Sequence, residues 1–199
     1  MSEDILKPLT LAGRHARLEP LSAAHAEGLR AATRDGELWR LWYTAVPSPD
    51  GMAAEIERRL SLHGAGTMLP FTVFDATGRI VGMSTFMNID RVHRRVEIGS
   101  TWYAASAQRG PLNTECKRML LTHAFETLGC IAVEFRTHRL NQASRRAIER
   151  LGAQLDGILR NHQRSADGSL RDTAVYSITA DEWPTIKTHL QWLLDKPRT

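Results

Sequence analysis

Apolar and polar residues first alternate over residues 8–20, LTLAGRHARLEPL, where Leu9, Leu11, His15, Arg17 and Glu19 share the odd positions. This mixed alternation predicts a strand ending at Pro20. Ser22 is a fair N-cap for a helix over Ala23 to Arg34, with Leu21, His25, Leu29 and Ala32 recurring at helical spacing. A short helix is expected over Leu38 to Tyr43, and Pro47-Ser48-Pro49-Asp50-Gly51 breaks the chain before another over Ala53 to His63.

Beyond Gly64-Ala65-Gly66 the period changes. Phe71, Val73 and Phe74, then Ile80, Val81, Met83, Phe86 and Met87, flank the turn signal Asp75-Ala76-Thr77-Gly78 and predict a hairpin. A turn at Asp90-Arg91-Val92-His93 leads to a third strand, Arg95 to Tyr103, completing an antiparallel meander. Strand and helix alternate thereafter: a helix from Thr114 to Leu128, a strand from Ile131 to Thr137, a helix from Ala143 to Leu151, and strands near Leu155 to His162 and Thr173 to Thr179. A last helix covers Asp181 to Leu194. This order predicts an α/β fold built on a sheet of mixed direction, without internal repeats or low-complexity segments.

With 199 residues the chain suits a single domain able to bury a sizeable core. Apolar residues make up 42% and charged residues 24%, the balance of a soluble globular protein, and no apolar run approaches the ~18 residues of a membrane span. The acidic start Met1-Ser2-Glu3-Asp4 lacks the basic head and apolar stretch of a secretory signal, so a cytoplasmic location is expected. A formal charge of +4 does not indicate nucleic-acid binding, because the basic residues are scattered among acids. Cys116 and Cys130 form no CxxC pair and read as reduced packing residues; the eight histidines show no HxxxH-type pairing, so no metal site is expected.

The chemically informative stretch is Ser100 to Leu121, STWYAASAQRGPLNTECKRMLL, in which a strand passes through a short polar loop into a helix. Such a junction exposes unpaired backbone N–H groups and the positive end of a helix dipole, which suits a pyrophosphate, although ordinary capped helices also begin this way. Further along, Leu140-Asn141-Gln142-Ala143-Ser144 opens a run that continues to Leu151-Gly152-Ala153. Here the chain resembles the GNAT superfamily of N-acetyltransferases. The likeness is to its ribosomal-protein-type N-terminal acetyltransferase branch, with an Asn-x-x-Ser-x-x-x-hydrophobe-x-x-x-Gly run after the fifth strand. The loop Gln108 to Glu115, the strand Val96 to Trp102 and the closing Arg171 to Ser177 extend the likeness over roughly residues 8 to 183. One departure is visible. The superfamily loop usually reads Gln/Arg-x-x-Gly-x-Gly/Ala, whereas Pro111 and Asn113 occupy the two small positions, and proline offers no N–H. Gly110 restores flexibility beside it, and Asn113 is expected to cap the helix while contacting cofactor or substrate.

The resemblance implies a single GNAT domain with a mostly antiparallel central sheet of about seven strands flanked by helices. It implies transfer of an acetyl group from acetyl-CoA (coenzyme A) to a primary amine by direct attack in a ternary complex. The acceptor is a protein or peptide N-terminus or a small-molecule amine, and members of this branch often form homodimers. A catalytically weak acyl-CoA sensor of the same fold is the alternative. Acyl transfer needs a neutral amine, a stabilised oxyanion and a proton for the thiolate. Glu97 is the first choice for the carboxylate that takes the amine proton, against a structural salt bridge with Arg94 or Arg95. The acyl carbonyl is expected to meet backbone N–H groups of Ile98 to Trp102, including Ser100 and Thr101, with Gly99 marking a bulge. Ser144 is the candidate thiolate acid or an exposed first-turn residue, and Asn141 a pantetheine ligand, a helix cap or both. Gln108, Arg109, Gly110, Leu112, Asn113, Thr114 and Arg145 are the remaining coenzyme contacts implied. Trp39, Trp42 and Tyr43 line the acceptor pocket or pack in the core.

Overall fold

The computed structural model describes residues 5–165 and 167–196, so the acidic start at Met1 to Asp4 lies outside the described residues. Among the described residues eight strands form one sheet in the order β1-β2-β3-β4-β5-β6-β8-β7. They are β1 (Leu11–Ala12), β2 (Ala16–Pro20), β3 (Met68–Asp75), β4 (Ile80–Asp90), β5 (Arg95–Tyr103), β6 (Ala132–His138), β7 (Gln154–Arg164) and β8 (Leu170–Thr179). Neighbours run antiparallel except β5 and β6, which are parallel. Five α-helices among the described residues accompany them: α1 (Ala26–Arg34), α2 (Met52–Gly64), α3 (Leu112–Thr122), α4 (Gln142–Glu149) and α5 (Trp183–Asp195).

The α/β expectation and the meander are as read from the pattern; several boundaries are not. The strand expected over residues 8–20 is two strands, because the carboxylate of Glu115 in α3 accepts the backbone N–H groups of Arg14, His15 and Ala16 and turns the chain there. The helix expected over Leu38 to Tyr43 is a single 3-10 turn, Leu38–Arg40. The long helix expected up to Leu128 is α3 continued by a π-helical turn, His123–Thr127. Ser22 caps as expected, accepting from Ala24 N. Asn113 does not: α3 begins one residue before it, behind Pro111, whose φ of −70° suits a helix start and whose missing N–H would have had no intrahelical acceptor.

Successive residues of a strand face opposite sides of a sheet, which assigns the helices to layers. Thr85 of β4 meets Arg59 of α2, while its neighbour Ser84 meets Lys117 of α3. Helices α1 and α2 thus cover one face, and α3 covers the other together with α5 and α4. Phe125 stacks on Trp183 of α5, and Tyr176 of β8 bonds Arg145 and Glu149 of α4. Phe71, Val73, Val81, Phe86, Val96, Leu120, Val133, Phe135 and Tyr176 are at most 2% exposed and fill the space between the layers.

Candidate active site

Strands β5 and β6 pair for three residues only, Arg95 with Ala132, Val96 with Val133 and Glu97 with Glu134. Strand β5 continues to Tyr103 and β6 to His138, so beyond Glu97 the two strands part and leave a gap in the middle of the sheet. Backbone groups of β5 on that edge have no strand to pair with and are available to a ligand. On its other edge β5 is bulged. The register jumps from Thr85 opposite Gly99 to Met83 opposite Trp102, which sets Ser100 and Thr101 against the single residue Ser84. The bulge is therefore centred one residue beyond Gly99, on Ser100, whose φ of 47° is the left-handed conformation common in such irregularities. Arg59 fixes it from α2: its guanidinium donates to Ser100 O at 3.4 and 3.5 Å and to Thr85 Oγ1 at 2.8 Å, with Nε on Glu55 at 2.7 Å.

Two groups of polar side chains approach the gap from opposite faces. On the α2 face lies Glu97, 5% exposed, which accepts from Asn88 Nδ2 at 2.6 Å and sits 3.5 Å from Arg136 Nε. Burial raises its pKa, and Glu134 adds to this; Asn88, Arg136 and Arg171 pull the other way without cancelling it. The alternative of a salt bridge with Arg94 or Arg95 is not what forms: the neighbouring cation is Arg136, which shares the face of β6 that continues past Glu134. The same face carries His138, whose ring lies 5.1 Å from that of Trp42 and 6.4 Å from that of Tyr43. Trp42 is 57% exposed, whereas Trp39, half-buried, joins no ring contact among the described residues.

On the α3 face, the loop after β5 makes a 3-10 turn at Ala105–Ala107 and reaches α3 through Arg109, whose φ is 59°. Gln108 braces it by donating from Nε2 to Tyr103 O at 2.8 Å. The first intrahelical bond is Glu115 N to Pro111 O, so the amides of Arg109, Gly110, Leu112, Asn113 and Thr114 have no partner among the described residues. Clustered free amides at a helix start form a site for an anion, and the residues present fit a diphosphate there despite Pro111. At the start of α4, Asn141 caps the helix by accepting from Ser144 N at 3.0 Å, while the Ser144 hydroxyl has no partner among the described residues.

A family profile described as an acetyltransferase (GNAT) domain matches residues 15–154. The chain belongs to this GNAT acetyltransferase family. It is similar to YdaF of Bacillus subtilis, named as a candidate ribosomal N-acetyltransferase, at 33% identity over 106 residues, covering 53% of this chain and 57% of YdaF. That match thus spans a little over half of the curated relative. Among solved structures, a GCN5-related N-acetyltransferase from Brucella melitensis is 34% identical, with a TM-score of 0.82 over 94% of this chain and 85% of that one. Mycobacterium smegmatis RimJ, in complex with CoA-disulfide, shares the fold at 22% identity, with a TM-score of 0.77 over 94% of this chain and 93% of its own.

Within this GNAT domain the residues singled out in the sequence fall into distinct positions. Ile98 and Thr101 face α3, and Trp102 is buried on the α2 side, its indole N–H without a partner among the described residues. Thr114 is buried, and its hydroxyl accepts from Arg150 Nη2 at 3.0 Å. Arg145 is turned from the loop, donating Nε to Tyr176 Oη at 2.7 Å. Cys116 is buried and its thiol pushed up to about 12 by burial, as suits a packing residue. Sequence reasoning overlooked Arg59, Lys117 and Arg150. The first two sit on buried helix stripes, Met52-Ile56-Arg59 and Lys117-Leu120-Leu121, where the helical period calls for an apolar residue. A long cation on such a stripe was the available signal. No helix among the described residues is long and apolar enough to cross a membrane, and no group of His, Cys, Asp or Glu there is arranged to hold a metal.

Proposed function

We propose that the protein transfers an acetyl group from acetyl-CoA to a primary amine by direct attack in a ternary complex. The supporting observation is the parting of β5 from β6 after Glu97, with free amides on one side of the opening and a buried carboxylate on the other. In this reading the diphosphate lies on the amides between Arg109 and Thr114, with Arg150 beside them. The pantetheine arm runs between β5 and β6, with Asn141 offering its side-chain NH2, and the thioester lies at the bulge. RimJ, captured with CoA-disulfide, supports a coenzyme A site in this fold.

The amine enters from the α2 face. Glu97, directly or through a water, takes the ammonium proton, the nitrogen lone pair attacks the acyl carbon, and the nitrogen's second proton passes to solvent as the amide forms. The C–S bond breaks with its electron pair leaving on sulfur, and Ser144 returns a proton to that sulfur, to be reprotonated by solvent. Glu97 suits the base because a carboxyl with a raised pKa lies nearer the amine's in proton affinity than an ordinary glutamate. A protein or peptide N-terminus is the acceptor favoured by the ribosomal acetyltransferase name of YdaF, with Trp42, Tyr43 and His138 as the wall it meets.

The test is acetyl-CoA-dependent thiol release with peptides bearing free or blocked N-termini, beside a polyamine and an aminoglycoside. Release with free N-termini alone is the expected result; tight coenzyme binding without release to any amine would favour the sensor reading. Trp42→Ala is expected to leave stability within about 0.5 kcal/mol, because the ring is largely exposed. Losing about 1 kcal/mol of aromatic contact should raise KM for the amine about fivefold with kcat unchanged. An unaltered KM would remove Trp42 from the acceptor wall.

A further inference from the structure

Lys117 is an anomaly of the coenzyme face. It projects from α3 into the sheet, is 5% exposed, and forms no ion pair among the described residues. Its Nζ donates to Thr101 Oγ1 of β5 at 2.8 Å and to Ser84 Oγ of β4 at 3.3 Å, and lies 6.0 Å from the ring centroid of Phe135 on β6. The group is therefore flanked by β5 and β6 where those strands have already parted, and it is tethered to the bulge itself. An ammonium carries three N–H donors, and the described partners use two. Burying a cation without a carboxylate beside it is costly, and such groups concentrate at functional sites.

We propose that Lys117 is a side-chain donor of the acyl site, directing its remaining N–H at the carbonyl oxygen of the bound thioester and stabilising the negative charge that gathers there as the amine attacks. This rests on the acetyltransferase reading above. The division of labour follows from the two faces: Glu97 handles the amine's proton on the α2 side, and Lys117 holds the oxygen on the α3 side. The cation's surroundings are defined on every side. Ser84 faces it from β4, Thr101 from β5 and Phe135 from β6, with Cys116 beside it on α3, while Glu97 acts on it only electrostatically, from the opposite face of β5. Burial brings its pKa down to about 8, against weaker opposing pulls from Cys116 and Glu97, so near neutrality it is charged and above pH 8 it becomes neutral. A lysine whose pKa is lowered on folding withdraws stability as pH falls through the folded value, so its charged form is carried at a loss to the fold.

The test compares calorimetric affinities for acetyl-CoA and for S-ethyl-CoA, a thioether lacking the carbonyl oxygen, in wild type and Lys117→Met. Wild type is expected to prefer acetyl-CoA by about tenfold, the worth of one charged hydrogen bond. The variant should bind both alike, with unchanged affinity for the thioether, a melting temperature no lower than wild type at pH 7, and kcat down about 10²-fold. In wild type the preference should fade as pH rises through about 8, a readout needing no substitution. Retention of the preference in the variant, or equal weakening of both ligands, would reduce Lys117 to pocket shape and overturn the proposal. Binding of neither ligand by wild type would instead remove the acetyltransferase reading on which it rests.

Discussion

Replacing Glu97 by glutamine is expected to lower kcat about 10²- to 10³-fold while leaving the fold intact, the usual range for loss of a positioned general base. The amide keeps the shape and still accepts from Asn88 Nδ2, so coenzyme affinity should be unchanged. What disappears is the proton acceptor. In wild type, kcat/KM should rise with pH along a limb displaced above the ordinary glutamate range, because burial raises the pKa of this carboxyl. The limb should vanish in the variant. Stability is expected to move the other way. A carboxyl whose pKa is raised on folding supports the fold fully below its unfolded pKa and loses that support as pH climbs through the folded one. Above its raised pKa the ionised Glu97 is thus a net burden, and there Glu97→Gln should melt at or slightly above the wild-type temperature. Full activity in the variant would show that the amine loses its proton elsewhere.

The second large effect is expected at Arg59. Arg59→Met leaves Thr85 Oγ1 and Ser100 O without their buried donor, while Glu55 keeps Arg58, which bonds it at 2.7 and 2.9 Å. Loss of charged hydrogen bonds in a site 2% exposed should cost about 3 kcal/mol, partly offset by the relief of burying a guanidinium. For a chain of this size that is a fall of about 10 °C in melting temperature. Activity should fall beyond what instability explains, because Arg59 holds the left-handed Ser100 and with it the edge of β5 facing the gap. Assays well below the melting point should find kcat reduced about tenfold and coenzyme affinity nearly intact, as misplacement of a carbonyl-binding edge predicts. Arg59→Met with wild-type kcat would leave Arg59 a purely structural residue.

Both residues bear on what the chain disclosed in advance. The hairpin at Asp75 to Gly78 was legible because its chemistry is local: Asp75 Oδ1 accepts from Thr77 N, Thr77 Oγ1 and Arg79 N, and Gly78 adopts a φ of 85°. The α/β order and the loop before α3 were legible for the same reason, since periodicity and turn residues act within a few positions. The break between β1 and β2 was not, because the group that makes it, Glu115, lies about a hundred residues away. The residues after Arg40 were read as helix, but Trp42 and Tyr43 pack edge to face and against His138 instead. The bulge was assigned to the glycine, whereas the left-handed residue is the serine beside it, held by a cation from another layer. Arg59 and Lys117 escaped notice because charged residues on helices usually face solvent, and only their place on the apolar stripe marks them as buried.

Where coenzyme A lies is tested most directly by a crystal structure of the protein grown with it. The diphosphate should sit within hydrogen-bond distance of amides between Arg109 and Thr114, and the pantetheine arm should pass between β5 and β6 with its sulfur at the Ser100 bulge. Coenzyme bound elsewhere, or a gap that stays closed at saturating concentration, would contradict this placement.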